Sequence, residues 1–177
     1  MQRWLPLVLA LSLGLAAPLG KGLVIADAGN HRLVELSPEG KLVRTVPLPS
    51  SFRYTDDVFL APGGKVAYIT DPEVHAVAAV RYPGGELLWA YGKPGRPGPG
   101  PGQLDNPDDL VLLPSGLLAA ADIRNCRALL LTAQGKLFRT FGRTRVSRNG
   151  DGYFIKPNGA FPLARTGSWS RKSWGTT

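Results

Sequence analysis

The chain has 177 residues, enough for one domain, a formal net charge of +8 and a single cysteine, which excludes an intrachain disulfide. Most of the positive excess lies beyond residue 142, where Arg143, Arg145, Arg148, Lys156, Arg165, Arg171 and Lys172 face only Asp151. The charge therefore belongs to an irregular C-terminal stretch, and with no recognisable nucleic-acid module no nucleic-acid partner is expected.

Residues 1–17 read as a signal peptide. Arg3 is the positive end, residues 5–17 are mostly Leu, Val and Ala, and Gly14-Leu15-Ala16 has small residues suited to cleavage near Ala16 or Ala17. The run is shorter than the about 20 residues of a membrane span. The mature chain is expected to be extracytoplasmic, periplasmic or secreted, and membrane-bound only if the segment stays uncleaved. No cysteine follows the run, which argues against a lipoprotein.

Short apolar runs separated by turn residues fill the chain from Gly22 onward, the pattern of antiparallel strands. A first unit, residues 22–48, has strands expected at 23–26, 33–36 and 41–47 and lacks an innermost strand. A second, 57–92, has four at 58–60, 66–69, 77–81 and 87–91, with turns at Pro62-Gly63-Gly64 and Pro83-Gly84-Gly85. Residues 93–102, KPGRPGPGPG, have glycines out of any period of three, so they read as a stiff spacer loop, not collagen. The most legible unit is 108–142, with strands at 109–113, 117–121, 128–132 and 136–141. Residues 143–155 are irregular, 156–163 open a fourth unit, and from Ala164 the apolar pattern collapses. A GC-rich back-translation read one nucleotide later from Pro162 can restore a turn and strand. The tail 164–177 is therefore read as frameshifted, with a short chain ending in an irregular terminus as the alternative.

The units are repeats. ADAGNHRLVEL from Ala26 matches ADIRNCRALLL from Ala121, placing Asp27, Asn30 and Arg32 in register with Asp122, Asn125 and Arg127. TDPEVHAVAAV from Thr70 keeps Asp71 and lacks the Asn and the Arg. Spacings of about 45–50 residues fall in the range of propeller blades. The string IADAGNHRLVELSPEGKLVRTV, with its D-x-G-N-H-R core, resembles an NHL repeat, a six-bladed-propeller motif. The longer run through DDVF, NPDDLVLLPSG, ADIRNCRALLL and PNGAFPL is similar to a group of bacterial extracytoplasmic NHL-type proteins of unassigned activity, over residues 22–163. The resemblance implies an all-β fold, a partial β-propeller of about three four-stranded antiparallel blades. A six-bladed ring needs about twice this length, so the chain is expected to be a fragment of one. Three blades leave open sheet edges, so self-association, or strands donated by another chain, is expected as well.

Two sets of residues are candidates for chemistry. Asp27, Asn30, Arg32, Asp71, Asp122, Asn125 and Arg127 recur at turns, where Asp and Asn bond local backbone. Every blade needs a turn, whereas a catalytic group is needed once, so their expected role is structural. Asp56, Asp57, Asp108, Asp109 and Asn158 start innermost strands and should gather at one mouth of a central channel. Oxygen donors converging there suit Ca2+, the one cofactor the residues suggest. Propellers of the lactonase and strictosidine synthase type, which these blades resemble in fold, place metal or reactive acids at that mouth. Capping and turn chemistry is the competing explanation. His31, His75 and Cys126 share one repeat position and should be spread around the disc, which disfavours a His/Cys metal site. NHL enzymes that cleave peptidyl hydroxyglycine hold zinc with scattered histidines, and two histidines are too few to carry that over. There is no Ser-His-Asp order, phosphate-binding Gly loop or CxxC.

The leading functional expectation is a noncatalytic scaffold binding an unidentified protein or small molecule. The alternative is a propeller enzyme of lyase, lactonase or arylsulfotransferase-like type with Ca2+ or reactive acids at the mouth.

Overall fold

The computed structural model describes residues 21–163. The proposed signal segment and the tail 164–177 lie outside these residues. The described chain is all-β, with three antiparallel sheets formed in chain order. The first contains β1 (Leu23–Asp27), β2 (Arg32–Leu36) and β3 (Leu42–Pro47). The second contains β4 (Val58–Leu60), β5 (Val66–Asp71), β6 (Ala76–Arg81) and β7 (Leu87–Gly92). The third contains β8 (Pro107–Leu112), β9 (Leu118–Asp122), β10 (Arg127–Leu131) and β11 (Leu137–Gly142). Each sheet is an up-and-down meander.

Sequence chemistry explains the stacking. β6 reads AVAAVR and is buried on both faces. Its Ala76, Ala78 and Val80 join Leu33, Val46 and Ile69 in a core between the first and second sheets. Its Val77 and Ala79 join Tyr68, Leu110, Leu118 and Leu129 between the second and third. Side chains alternate across a strand, so a central sheet flanked by two others must be apolar at consecutive positions. Trp89 adds a directional link, donating its Nε1–H to the Ala133 carbonyl of the third sheet at 2.9 Å.

All three sheets share a feature that the apolar pattern does not reveal. The register slips at Glu35/Leu36, Ala79/Val80 and Leu130/Leu131, where the last-but-one strand of each sheet meets the outermost. A bulge at the same place in every sheet increases the local twist of the outer strand.

The expected fourth inner strand does not form. Residues 157–163 carry the pattern of one but have no strand assignment. A strand needs a neighbour for its N–H and C=O groups, and none of the described residues supplies one beside these. The 93–102 tract is also more than a spacer. The Asn125 side chain donates to the Gly98 carbonyl at 2.8 Å, and the Arg127 guanidinium donates to the carbonyls of Pro99 at 3.1 Å and Gln103 at 2.8 Å.

The repeated aspartates tie these inter-blade loops to the turns. Asp122 accepts from the Asp105 backbone N–H, Asn125 Nδ2 and Arg127 Nε at 2.7–2.8 Å. Asp71, whose repeat lacks Asn and Arg, accepts four backbone N–H groups instead: Arg53 at 2.6 Å, Tyr54 at 2.7 Å, Glu73 at 3.0 Å and Val74 at 3.1 Å. Asp27 bonds only Asn30 and Arg32 among the described residues, with no preceding loop laid over it. His31, His75 and Cys126 each close the following turn in the left-handed conformation, with φ of 52°, 59° and 54°.

Burial decides what these equivalent pairs are worth. The Arg127 and Asp122 side chains are 9% and 0% exposed, against 43% and 28% for Arg32 and Asp27. Removing the cation from a buried pair strands a carboxyl in low dielectric at about 3–5 kcal/mol, whereas an exposed pair contributes little. Chemical denaturation should therefore show a large loss for Arg127→Ala and a midpoint near wild type for Arg32→Ala.

Candidate functional site

The inner strands of the second and third sheets begin at the same rim as the aspartate turns. The Asp56 N–H donates to the Thr70 carbonyl at 3.0 Å, one residue before Asp71, and Pro107 pairs with Asp122. This geometry brings Asp56, Asp57 and Asp108 together, with one carboxylate oxygen from each lying within 4.8 Å of the others.

A bulge in β8 completes the cluster. Register slips between Asp108 and Leu110, leaving Asp109 unpaired with φ of 45°. That conformation is uncommon for an L-residue and is tolerated best by Asn and Asp. It lets the Asp109 N–H reach both Asp108 Oδ1 at 3.0 Å and Asp57 Oδ2 at 3.4 Å. Gly159 lies against the Asp109 carboxylate, so closely that a Cβ there would collide with it. Asn158, next to it, is exposed, and no hydrogen bond joins its side chain to the four aspartates. The structure therefore gathers the carboxylates of Asp56, Asp57 and Asp108, sets Asp109 beside them through its N–H, and leaves Asn158 exposed at their margin.

Among the described residues, none of the four carboxylates has a Lys, Arg or His partner within ion-pair distance. Their protonation reflects this. Burial, the Asp57 hydrogen bond and the neighbouring charges of Asp57 and Asp109 push the Asp108 carboxyl up to about 7, against the Asp109 N–H that favours its ionised form. Burial and the charges of Asp57 and Asp71 raise Asp56, and burial with the charges of Asp57 and Asp56 raises Asp109. Two acids sharing a site can hold one proton between them. At Asp108, the hydrogen bond with Asp57 is one cause of the raised carboxyl. Three hard oxygen donors this close also fit a cation such as Ca2+.

The same rim carries groups that strand patterns do not single out. Asp105 lies 3.8 Å from His75, 3.7 Å from Arg124 and 3.6 Å from Arg145. His75 Nδ1 accepts the Asn106 N–H at 3.1 Å. Tyr54, Glu73, His75, Asn106 and Arg124 line a groove between the second and third sheets. The one sequence signal for it is the LDNP string entering the third sheet, which supplies Asp105 and Asn106.

A carboxyl raised in the folded state binds its proton more tightly there than in the unfolded chain, whose value is near 3.8. The folded state is then disfavoured progressively as pH rises from about 4 through about 7, and the full penalty persists above. Thermal melts at pH 5 and pH 8 should show Asp108→Asn gaining on wild type at the higher pH by on the order of a few degrees. A constant difference across that range would mean Asp108 ionises normally.

No protein-family model matches the chain, and no curated protein matches it. Solved structures do. A catalytically inactive virginiamycin B lyase from Staphylococcus aureus, solved with quinupristin, is 16% identical with a TM-score of 0.52, over 68% of this chain and 37% of that one. An auxiliary nutrient binding protein from Bacteroides thetaiotaomicron is 19% identical with a TM-score of 0.52, over 77% of this chain and 36% of that one. A putative 6-phosphogluconolactonase from Bacteroides uniformis is 17% identical with a TM-score of 0.50, over 75% and 40%. Identities this low show fold alone, and the fold is a β-propeller, of which the three sheets are blades. The chain spans well under half the length of each of these structures.

Proposed function

We propose that the chain is part of an NHL-repeat propeller that works outside the cytoplasm as a noncatalytic binding module, with the acidic mouth as its ligand-contacting surface and a cation or cationic group as its ligand. The observation that carries this reading is the convergence of the Asp56, Asp57 and Asp108 carboxylates beside Asp109, with no cation among the described residues within ion-pair distance of them. Uncompensated carboxylates in a partly desolvated site repel one another, and a bound cation relieves that repulsion. The repeated Asp, Asn and Arg residues are occupied by backbone and by each other, so they offer little to a ligand. The D-x-G-N-H-R string supports the NHL assignment, and the apolar segment after Arg3 supports export.

One observation favours a second reading, a propeller enzyme. A carboxyl pushed up to about 7 is suited to donate and accept protons near neutral pH. Propellers host both binding and catalysis, so the site must decide.

Calcium tests the mouth directly. Melting temperature at pH 7.5 should rise by a few degrees with millimolar CaCl2, as for any ligand that binds only the folded state. The rise should shrink in Asp57→Asn and Asp108→Asn. A flat response in wild type would count against a metal at the mouth and leave an organic cation as the ligand to test. Turnover abolished by Asp108→Asn would move the reading from binding to catalysis.

A further inference from the structure

The first blade and the 157–163 segment are complementary halves of one missing structure. The first sheet has three strands, with β1 innermost and its inner edge unpaired among the described residues, whereas the other two sheets have four. Residues 157–163 have an inner-strand sequence and, among the described residues, no second strand beside them. We infer that residues 157–163 of a second copy of this chain pair with β1, so that two three-blade arcs close on one another in a two-fold ring.

Alignment with the complete blades sets the register. Asp57-Val58-Phe59-Leu60 and Asp109-Leu110-Val111-Leu112 correspond to Gly159-Ala160-Phe161-Pro162. In the third blade Val111 pairs with Ala119 and Leu112 with Leu118. The same register on β1 sets Phe161 opposite Val24 and Pro162 opposite Leu23.

A groove already exists where that strand would put its largest side chain. It measures about 340 Å³, runs beside β1 between the first and second sheets, and is lined by Val24, Val58 and Leu60. In the second blade the residue equivalent to Phe161 is Phe59, which with Leu112 packs against the core containing Tyr68, Leu110 and Leu118. Tyr68, Leu110 and Leu112 are the repeat equivalents of Val24, Val58 and Leu60. The groove thus reproduces the Phe59 pocket with its occupant missing. The candidate occupant is free, because Phe161 is 69% exposed and Leu163 is 74% exposed.

The segment's position selects a second copy over its own chain. Gly159 sits against Asp109 on the third sheet, whereas β1 is in the first sheet, with the second between them. A second copy satisfies both arcs at once, each donating one strand and accepting one. Leu23 at 45% and Ile25 at 40% exposure, on the outer face of the first sheet, would then meet the far face of the partner's third sheet. A head-to-tail contact that closes after two copies pairs the inner edge of each first sheet. This inference does not depend on the acidic mouth.

Sedimentation of the 177-residue protein at micromolar concentration should give about twice the monomer mass of 18.9 kDa. Phe161→Asp should return it to monomer with an unchanged circular dichroism spectrum, since the side chain is exposed within one chain. The double variant Val24→Cys/Phe161→Cys, treated with a short bismaleimide, should run as a covalent dimer on a denaturing gel. An equimolar mixture of the two single variants should also yield a covalent dimer. A cross-linked monomer would show the segment closing its own first blade and overturn the inference. So would a monodisperse monomer, or a dimer that Phe161→Asp leaves intact.

Discussion

A four-stranded meander whose two faces are both apolar has no stable existence alone, and this constraint organises the whole chain. The second sheet presents Ala76, Ala78 and Val80 to one side and Val77 and Ala79 to the other. It reaches its buried state only because a sheet lies on each face. The alanines let neighbouring sheets approach closely, and the larger Leu33, Ile69, Leu110 and Leu129 fill the space between them. The requirement then passes outward, since the first and third sheets each have a second face of their own. Open ends follow from the same stacking that makes the middle stable.

Apolar stacking leaves the loops undetermined, and the buried aspartates settle them. Asp71 and Asp122 each take backbone N–H groups from the loop that enters their own blade, Arg53 and Tyr54 in one case and Asp105 in the other. Leaving such N–H groups unpaired would cost more than the bonds themselves contribute. Burial raises the Asp122 carboxyl, and the Asp105 N–H, Asn125 and Arg127 act against that rise. The inner strands are therefore delivered to the rim in a set position. The Asp56, Asp57 and Asp108 carboxylates meet there as a consequence of how the loops are anchored, and the β8 bulge turns Asp109 toward Asp57.

Repetition separates structural from functional chemistry within one motif. The same Asp–Arg pair is buried in the third blade and solvent-exposed in the first, because only the third has an inter-blade loop lying over it. Asp71 shows that the Asn and Arg can be dispensed with when backbone donors replace them. What is conserved in physical terms is a satisfied carboxylate at the turn, and the identity of its donors varies with the loop.

Eleven strands and their order follow from the sequence alone, because alternation of apolar residues and Gly/Pro turns is a local property. The eleven strands lie within one or two residues of where apolar runs and turns place them, and the D-x-x-N-x-R turns are legible as repeats. The gathering of the first residues of inner strands at one rim was also legible, since antiparallel meanders alternate direction. Only the tertiary structure decided the rest. The matching bulges before each outer strand, the left-handed Asp109, the hold of Arg127 on the Gly/Pro tract and the His75–Asp105–Arg124 cluster all join residues from separate elements. The tertiary structure likewise left residues 157–163 unpaired. Their apolar pattern is that of an inner strand, but a strand forms only where a second one meets its backbone.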